Sequence, residues 1–186
     1  MPIPPFDGIL NVLPPHLGNP TDRARLSPYL CTTTELIQQL SFTAARRTIL
    51  RGLLQLRRDL LDLGIYGFQW LDGSFLEDIE ASENREPRDI DTVTFVATPH
   101  APQDAFSAMA SRPELLQRPW VKLNYRVDHF LLSMGSDPEI LVEYTRYYYG
   151  LFSHRRAPDR TWKGMLRINL APNCDDAAWQ LLGPPP

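Results

Sequence analysis

The sequence predicts an α/β (α+β) domain, in which helices interleave with the strands of one sheet. Three observations lead there. Apolar residues recur at helical spacing over a long stretch after residue 31, strand-forming runs follow at 65–71 and 89–96, and helical and strand periods then alternate to the C-terminus. At 186 residues the chain can bury one core and is too short for two full-sized domains with a linker. The expected organisation is a Pro-rich arm over residues 1–30 and a single sheet domain over 31–186.

Each element has its own signal. The arm is dense in Pro and Gly, from Pro2 through Gly8, Pro14, Pro15 and Gly18 to Pro28, and shows neither period. Its Phe6, Ile9, Leu10, Val12, Leu13 and Leu17 would be costly to leave in water, so it is expected to lie packed on the fold. Thr32 and Glu35 have the spacing of a capping box. They open a long N-terminal helix from about Thr34 to Leu63, stopped by Gly64, with Ile37, Leu40, Leu50, Leu53, Leu54 and Leu60 inward. Arg47, Arg51 and Arg58 lie on its solvated side. Ile65 to Leu71 is a strand, and its alternate Tyr66, Phe68 and Trp70 read as sheet-face packing.

Phe75 to about Ala81 reads as a short acidic helix or loop, and Asp89 to Val96 as a strand. Pro99 to Leu116 is polar, broken by Pro102 and Pro113, with room for a short helix. Val121 to Leu132 reads as a long strand. Pro138 to Leu151 is an amphipathic helix opened by Asp137 and Pro138, in which Tyr144, Tyr147 and Tyr148 are packing residues. A basic segment at 154–167, a strand at Met165 to Leu170 and a helix near Asp175 to Leu182 close the chain.

Composition excludes several classes. Hydrophobic residues make up 43% and charged residues 22%, which excludes a disordered, collagen-like or disulfide-stapled chain. The net charge of −3 argues against binding to nucleic acid by bulk electrostatics, and leaves room for a local basic patch on a phosphate-bearing ligand. The cations are seventeen Arg and two Lys, a bias read as genomic base composition. Cys31 and Cys174 have no CxxC or His/Cys neighbours, so two reduced thiols are expected. Neither a secretory signal nor a run of about 18 apolar residues is visible. The expectation is a cytoplasmic protein with no membrane partner.

Three features carry chemistry. Gly73-Ser74 directly follows the Ile65 strand, and such a turn can cradle phosphate oxygens with backbone N–H groups and a hydroxyl. Asp89 and Asp91 sit two apart at the start of the next strand, on one face, where mutual repulsion calls for a cation between them or for water. Asp128 lies in an apolar run, where a carboxylate needs an arginine or a metal. Its ion-pair alternatives are Arg126 or an arginine of the long helix. His129 and His154 are given no role.

Taken together, Gly73-Ser74, then residues 75 to 88, then Asp89-x-Asp91 opening a strand, then Asp128 in a later strand, resemble the signature of the polymerase-β-type nucleotidyltransferase superfamily. More of the chain, through Tyr147-Tyr-Tyr-Gly and Lys163-Gly164, is similar to small bacterial nucleotidyltransferase-like proteins. The resemblance implies a nucleotidyltransferase-like mixed sheet flanked by helices. It also implies a Mg²⁺-dependent transferase moving an NMP from an NTP, ATP first among them, to an acceptor that is a small molecule, a protein side chain or an RNA end. Asp89, Asp91 and Asp128 would ligate two Mg²⁺ ions, with Asp128 aiding deprotonation of the acceptor hydroxyl, and Gly73 and Ser74 would hold the β- and γ-phosphates. Lys163 and Arg160 are the preferred triphosphate cations over Lys122 and Arg126.

The setting implied by similar small proteins is toxin–antitoxin or phage defence, with a protein partner encoded nearby and nucleic acid only as acceptor. The alternatives are a catalytically inactive nucleotidyltransferase-fold binding or regulatory module, antitoxin-like in character, and an unrelated α/β domain. Between Gly-Ser and Asp89, the residues Glu77, Asp78, Glu80, Glu83 and Glu86 form an acidic insertion that would repel a nucleotide unless it points away or selects the acceptor.

Overall fold

The computed structural model describes residues 3–97, 107–156 and 160–183. Two helices precede the first long strand where the sequence predicts one from Thr34 to Leu63. α1 (Thr33–Leu40) starts at the expected capping box, in which the Glu35 N–H donates to Thr32 Oγ1 and the Thr32 N–H donates to Glu35 Oε2 at 2.7 Å. Ser41 closes α1, and Thr43 caps α2 (Ala44–Asp62) by accepting from the Arg46 N–H. Ser41-Phe42-Thr43 thus supplies a stop and a new start. The apolar spacing passes through the break because each helix keeps its own buried stripe, Leu36, Ile37 and Leu40 in one and Ile49, Leu50 and Leu53 in the other.

The strands are β1 (Tyr29–Leu30), β2 (Gly67–Asp72), β3 (Ile90–Val96), β4 (Val127–Ser133) and β5 (Leu166–Leu170). They form a five-stranded mixed sheet in the order β1-β5-β2-β3-β4. β2 runs antiparallel to both β5 and β3, while β3 and β4 are parallel, as are β1 and β5. The α+β class expected from the sequence is what the chain adopts. A parallel β3–β4 pair needs a crossover, and it includes a second correction. The predicted strand from Val121 to Leu132 is split into helix α4 (Arg118–Tyr125) and β4.

The reason is local. Pro119 sits in the first turn of α4, where a missing N–H costs nothing, and Val121 and Tyr125 share its buried face. Arg126 then adopts a left-handed conformation with φ 56° and ends the helix. Of the polar stretch from Pro99 to Leu116, residues 98–106 lie outside the described ones. Residues 107–110 are helical and Pro113–Leu116 is a 3-10 turn. The remaining helices are α3 (Ile79–Glu83), α5 (Pro138–Phe152), opened by Asp137 as expected, and α6 (Asp176–Leu182).

The two faces of the sheet differ in chemistry. Toward α1 and α2, Leu71, Ile90, Val127, Leu166 and Ile168 pack on Leu50, Leu53 and Leu54 in the main core. A polar line crosses this core. The fully buried Arg57 donates to Asp175 Oδ2 at 2.7 Å and to Gln69 Oε1 at 2.6 Å, Gln69 donates to Thr94 Oγ1, and Thr94 meets His129 Nε2 at 2.7 Å. Each buried polar group in it therefore has a partner, which is what makes it tolerable. On the other face Phe68 stacks on Phe95 at 4.6 Å, and Val93, Leu132 and Met165 join Tyr148 and Phe152 of α5.

Near the N-terminus Val12 and Leu13 are fully buried, and Leu13 O accepts from the Gly164 N–H at 2.7 Å. Among the described residues no helix is long and apolar enough to cross a membrane.

Candidate active site

Strand register gathers the carboxylates. Asp72 at the end of β2 is paired with Asp91 at the start of β3, and Asp91 with Asp128 in β4. Because side chains alternate across a sheet, directly paired residues share a face. The three aspartates therefore form one cross-strand row on the α5 side, at the end of the sheet where β2 finishes and β3 and β4 begin. Asp89 lies just before β3, and its carboxylate comes to the same side, where Lys122 Nζ reaches Asp89 Oδ2 at 2.6 Å and Asp128 Oδ2 at 3.2 Å. Asp89, Asp91 and Asp128 are thus brought together, across a gap in sequence that only the crossover closes.

Arg118 completes the cluster with a two-pronged contact, Nε to Asp128 Oδ1 at 2.8 Å and Nη2 to Oδ2 at 3.0 Å. Lys122 and Arg118 are one helical turn apart, so α4 aims both at the row. Read as a strand, this segment pairs Asp128 with Arg126, which is why Arg118 is missed in the sequence. Burial acts to raise the Asp128 carboxyl, but the hydrogen bonds and charges of Arg118 and Lys122 outweigh it and hold it below the ordinary carboxylate range. Asp91 shifts the other way. Burial raises its carboxyl, and the charges of Asp89 and Asp128 add to the effect against the weaker pull of Arg156 and Lys122. Among the described residues no cation forms an ion pair with Asp91.

Gly73 makes room for that carboxylate. It follows Asp72 with φ 85° and ψ −174°, and a Cβ built on it would lie 2.5 Å from Asp91 Oδ2. Ser74 begins a single 3-10 turn, Ser74–Leu76, and lines the same cleft. The turn is anchored from below by the fully buried Arg46, which donates to Phe75 O and Glu77 O, each at 2.7 Å, and pairs with Glu80 at 2.6 Å. Much of the acidic insertion is thereby spent on internal cations. Glu77 is buried against Lys163 at 2.7 Å and Arg155 at 2.9 Å, and Glu86 accepts from Thr43.

Lys163 occupies the floor. It is 2% exposed, and its ammonium lies 2.9 Å from Asp72 Oδ1 and 3.2 Å from Gly73 O as well as against Glu77. Burial pushes the Asp72 carboxyl up to about 7 against the pull of Lys163. The lysine is held protonated, above its ordinary range, because Asp72 and Glu77 outweigh its own burial. Lys163 is therefore at the site with its donors engaged, and it supports the Gly73 turn. Arg160 is exposed and is not among the residues lining the cleft. Asp72 and Glu77, unassigned from the sequence, are the partners of Lys163. For Asp72 the signal is its place directly before the Gly-Ser turn.

The cleft above the row has a volume of about 660 Å³, enough for a nucleotide-sized ligand. Its far wall is Tyr147, Leu151 and Phe152 of α5. Tyr148 packs in the core as expected, whereas Tyr144 and Tyr147 are half exposed. Among the described residues no three His, Cys, Asp or Glu side chains stand in a metal-holding group, Asp128 being turned into the fork of Arg118. In kind the donors suit a hard dication, since Asp89, Asp91 and Asp128 offer only carboxylate oxygens and the charge on Asp91 has no ion-pair partner among the described residues. Such an ion would have to displace Lys122 or Arg118 to recruit Asp128.

Residues 4–169 match a protein family whose description is a family of unknown function (DUF6932). No curated protein and no solved structure matches the chain.

Proposed function

The chain belongs to this DUF6932 family, and we propose that it is a Mg²⁺-dependent nucleotidyltransferase that moves an NMP from an NTP, ATP first among them, to an acceptor hydroxyl. The observation that carries the reading is the register that sets Asp91 beside Asp128, with the Gly73-Ser74 turn closed on Asp91 and Asp89 in front. Nucleotidyl transfer needs little covalent help from a protein. It needs the α-phosphoryl group positioned and its charge neutralised.

Mg²⁺, held by Asp89, Asp91 and Asp128, would supply that neutralisation and polarise the phosphoryl oxygen. Ser74 and the backbone at Gly73 hold the outer phosphates. Lys122 and Arg118, both about half exposed, are the cations able to leave their carboxylates and follow the triphosphate, whereas Lys163 stays below to hold the turn. The setting is that of a toxin–antitoxin or phage-defence pair with a protein partner encoded nearby.

A second reading is favoured by one observation. Lys122 and Arg118 already neutralise Asp89 and Asp128, as suits a scaffold that binds a partner without turnover. Isothermal titration with non-hydrolysable ATP, GTP, CTP and UTP analogues, with and without Mg²⁺, separates the two. The transferase reading expects Mg²⁺-dependent binding that Asp89→Ala/Asp91→Ala loses. Absence of binding under every condition favours the scaffold.

A further inference from the structure

A second cavity, of about 310 Å³, lies at the outer edge of β4, the edge strand of the sheet. Its lining is apolar in the main, with Met109, Leu115, Leu116 and Leu131 around it. It adjoins the carboxylate cleft, and Arg118 and Phe130 line both. The Arg118 guanidinium lies 4.0 Å from the centroid of the Phe130 ring. Phe130 is two residues beyond Asp128 on the same face of β4, so this stack is the partition between the last carboxylate of the row and the apolar cavity.

The direction of the chemistry gives the cavity a role. Displacement at an α-phosphorus is in line, so the attacking oxygen enters opposite the departing pyrophosphate. The Gly73-Ser74 turn stands at the β2 end of the row, and successive strands are about 4.8 Å apart. With the outer phosphates at β2 and the phosphorus over Asp91, the attacking hydroxyl arrives from the β4 side, past Asp128. What lies next on that side is this cavity. Arg118 is the one charged side chain in its lining among the described residues. His129, also in the lining, is buried and has its Nε2 engaged with Thr94 Oγ1 at 2.7 Å. Such a lining has no track of cations for an RNA end and fits an uncharged body.

Resting on the transferase reading above, we infer that the cavity is the acceptor site. It takes the apolar or aromatic body of a small hydroxyl-bearing molecule and presents the hydroxyl past the Arg118–Phe130 stack to Asp128. The acceptor oxygen bonds to the α-phosphorus as the bond to the bridging oxygen breaks. Pyrophosphate leaves with that electron pair, and the hydroxyl proton passes to a carboxylate of the row.

The test uses 2-naphthol, an uncharged aromatic with one hydroxyl, titrated into full-length protein carrying ¹³C-labelled Met and Leu methyl groups. Leu116 is half exposed, so Leu116→Trp fills the cavity from its mouth without entering the core. Expected are saturable shifts at Met109, Leu115 and Leu131, with an affinity at least tenfold weaker in Leu116→Trp. Asp91→Ala should leave that affinity intact, and saturating Mg²⁺ with a non-hydrolysable ATP analogue should change it less than threefold. Absence of saturable shifts while nucleotide still binds overturns the acceptor cavity alone, as does equal affinity in Leu116→Trp. Competition between naphthol and the nucleotide overturns it by assigning the cavity to the nucleobase. Naphthol binding with no nucleotide binding at all overturns the transferase reading and the acceptor role with it.

Discussion

Gly73 and Asp91 approach so closely that a Cβ on Gly73 would lie 2.5 Å from Asp91 Oδ2. The contact couples the turn that would hold phosphate to the carboxylate that would hold metal. Two independent effects oppose any side chain there. One is the clash, and the other is a backbone conformation, φ 85° and ψ −174°, in the region that is essentially glycine's alone.

Gly73→Ala should therefore cost about 1–3 kcal/mol of stability and weaken Mg²⁺-dependent nucleotide binding at least tenfold, because the turn can only yield by moving off Asp91. Urea denaturation and calorimetric titration check the two effects. A variant that keeps both its midpoint and its affinity would show that the approach is not needed by either.

Asp91→Asn separates function from stability. A carboxyl whose folded pKa is raised lowers stability at pH values above its ordinary range, where the unfolded chain is ionised at no cost. The amide relieves repulsion from Asp89 and Asp128. In EDTA at pH 7.5 the variant should melt at or above the wild-type temperature. With Mg²⁺ and nucleotide at 100 times Kd, the wild type should gain about 2.7 kcal/mol and the variant nothing. A variant that melts well below wild type in EDTA would mean that Asp91 has a structural partner.

Lys163→Met tests whether the buried lysine is a support or a phosphate ligand. Removing it leaves Asp72 uncompensated and Glu77 with Arg155 alone. The expected loss is about 3–5 kcal/mol, partly recovered in Lys163→Met/Asp72→Asn. A lysine serving phosphate would give the opposite pattern, an unchanged unfolding midpoint with nucleotide affinity lost.

The sequence makes the near-local parts of this site legible and hides the distant ones. Gly73-Ser74 and Asp89-x-Asp91 are each set by a turn or a strand of period two, and both stand where they are expected. Asp128 is also visible, because a carboxylate in an apolar run has to have a partner. That partner is not visible. Val121-Lys-Leu-Asn-Tyr alternates well enough for a strand, and Pro119 in the first turn together with the burial of Val121 and Tyr125 on one face decides for a helix, which then presents Arg118 and Lys122. The partners of Lys163 are hidden for the same kind of reason. Its carboxylates, Asp72 and Glu77, are 91 and 86 positions away, and the acidic insertion that holds Glu77 reads as solvated until Arg46 is seen beneath it.

The polar line under the sheet gives the last prediction, a dependence on pH. Burial lowers the His129 imidazole to about 4, against a weaker pull from Asp128, while the unfolded chain titrates near 6.5. A base lowered in the fold gives stability that is present above the unfolded value and lost as pH falls toward the folded one. Asp72, raised to about 7, has the reverse sign in the same window, because there the fold binds a proton that the unfolded chain has released. The wild-type profile alone therefore blends two opposing slopes. His129→Gln removes one and leaves the other, so the stability difference between wild type and variant isolates His129. From pH 7 to pH 5 that difference should move by about 2 kcal/mol in favour of the variant. Urea midpoints at the two pH values measure it, and a difference that stays constant would mean that His129 takes up its proton in the folded state as readily as in the unfolded one.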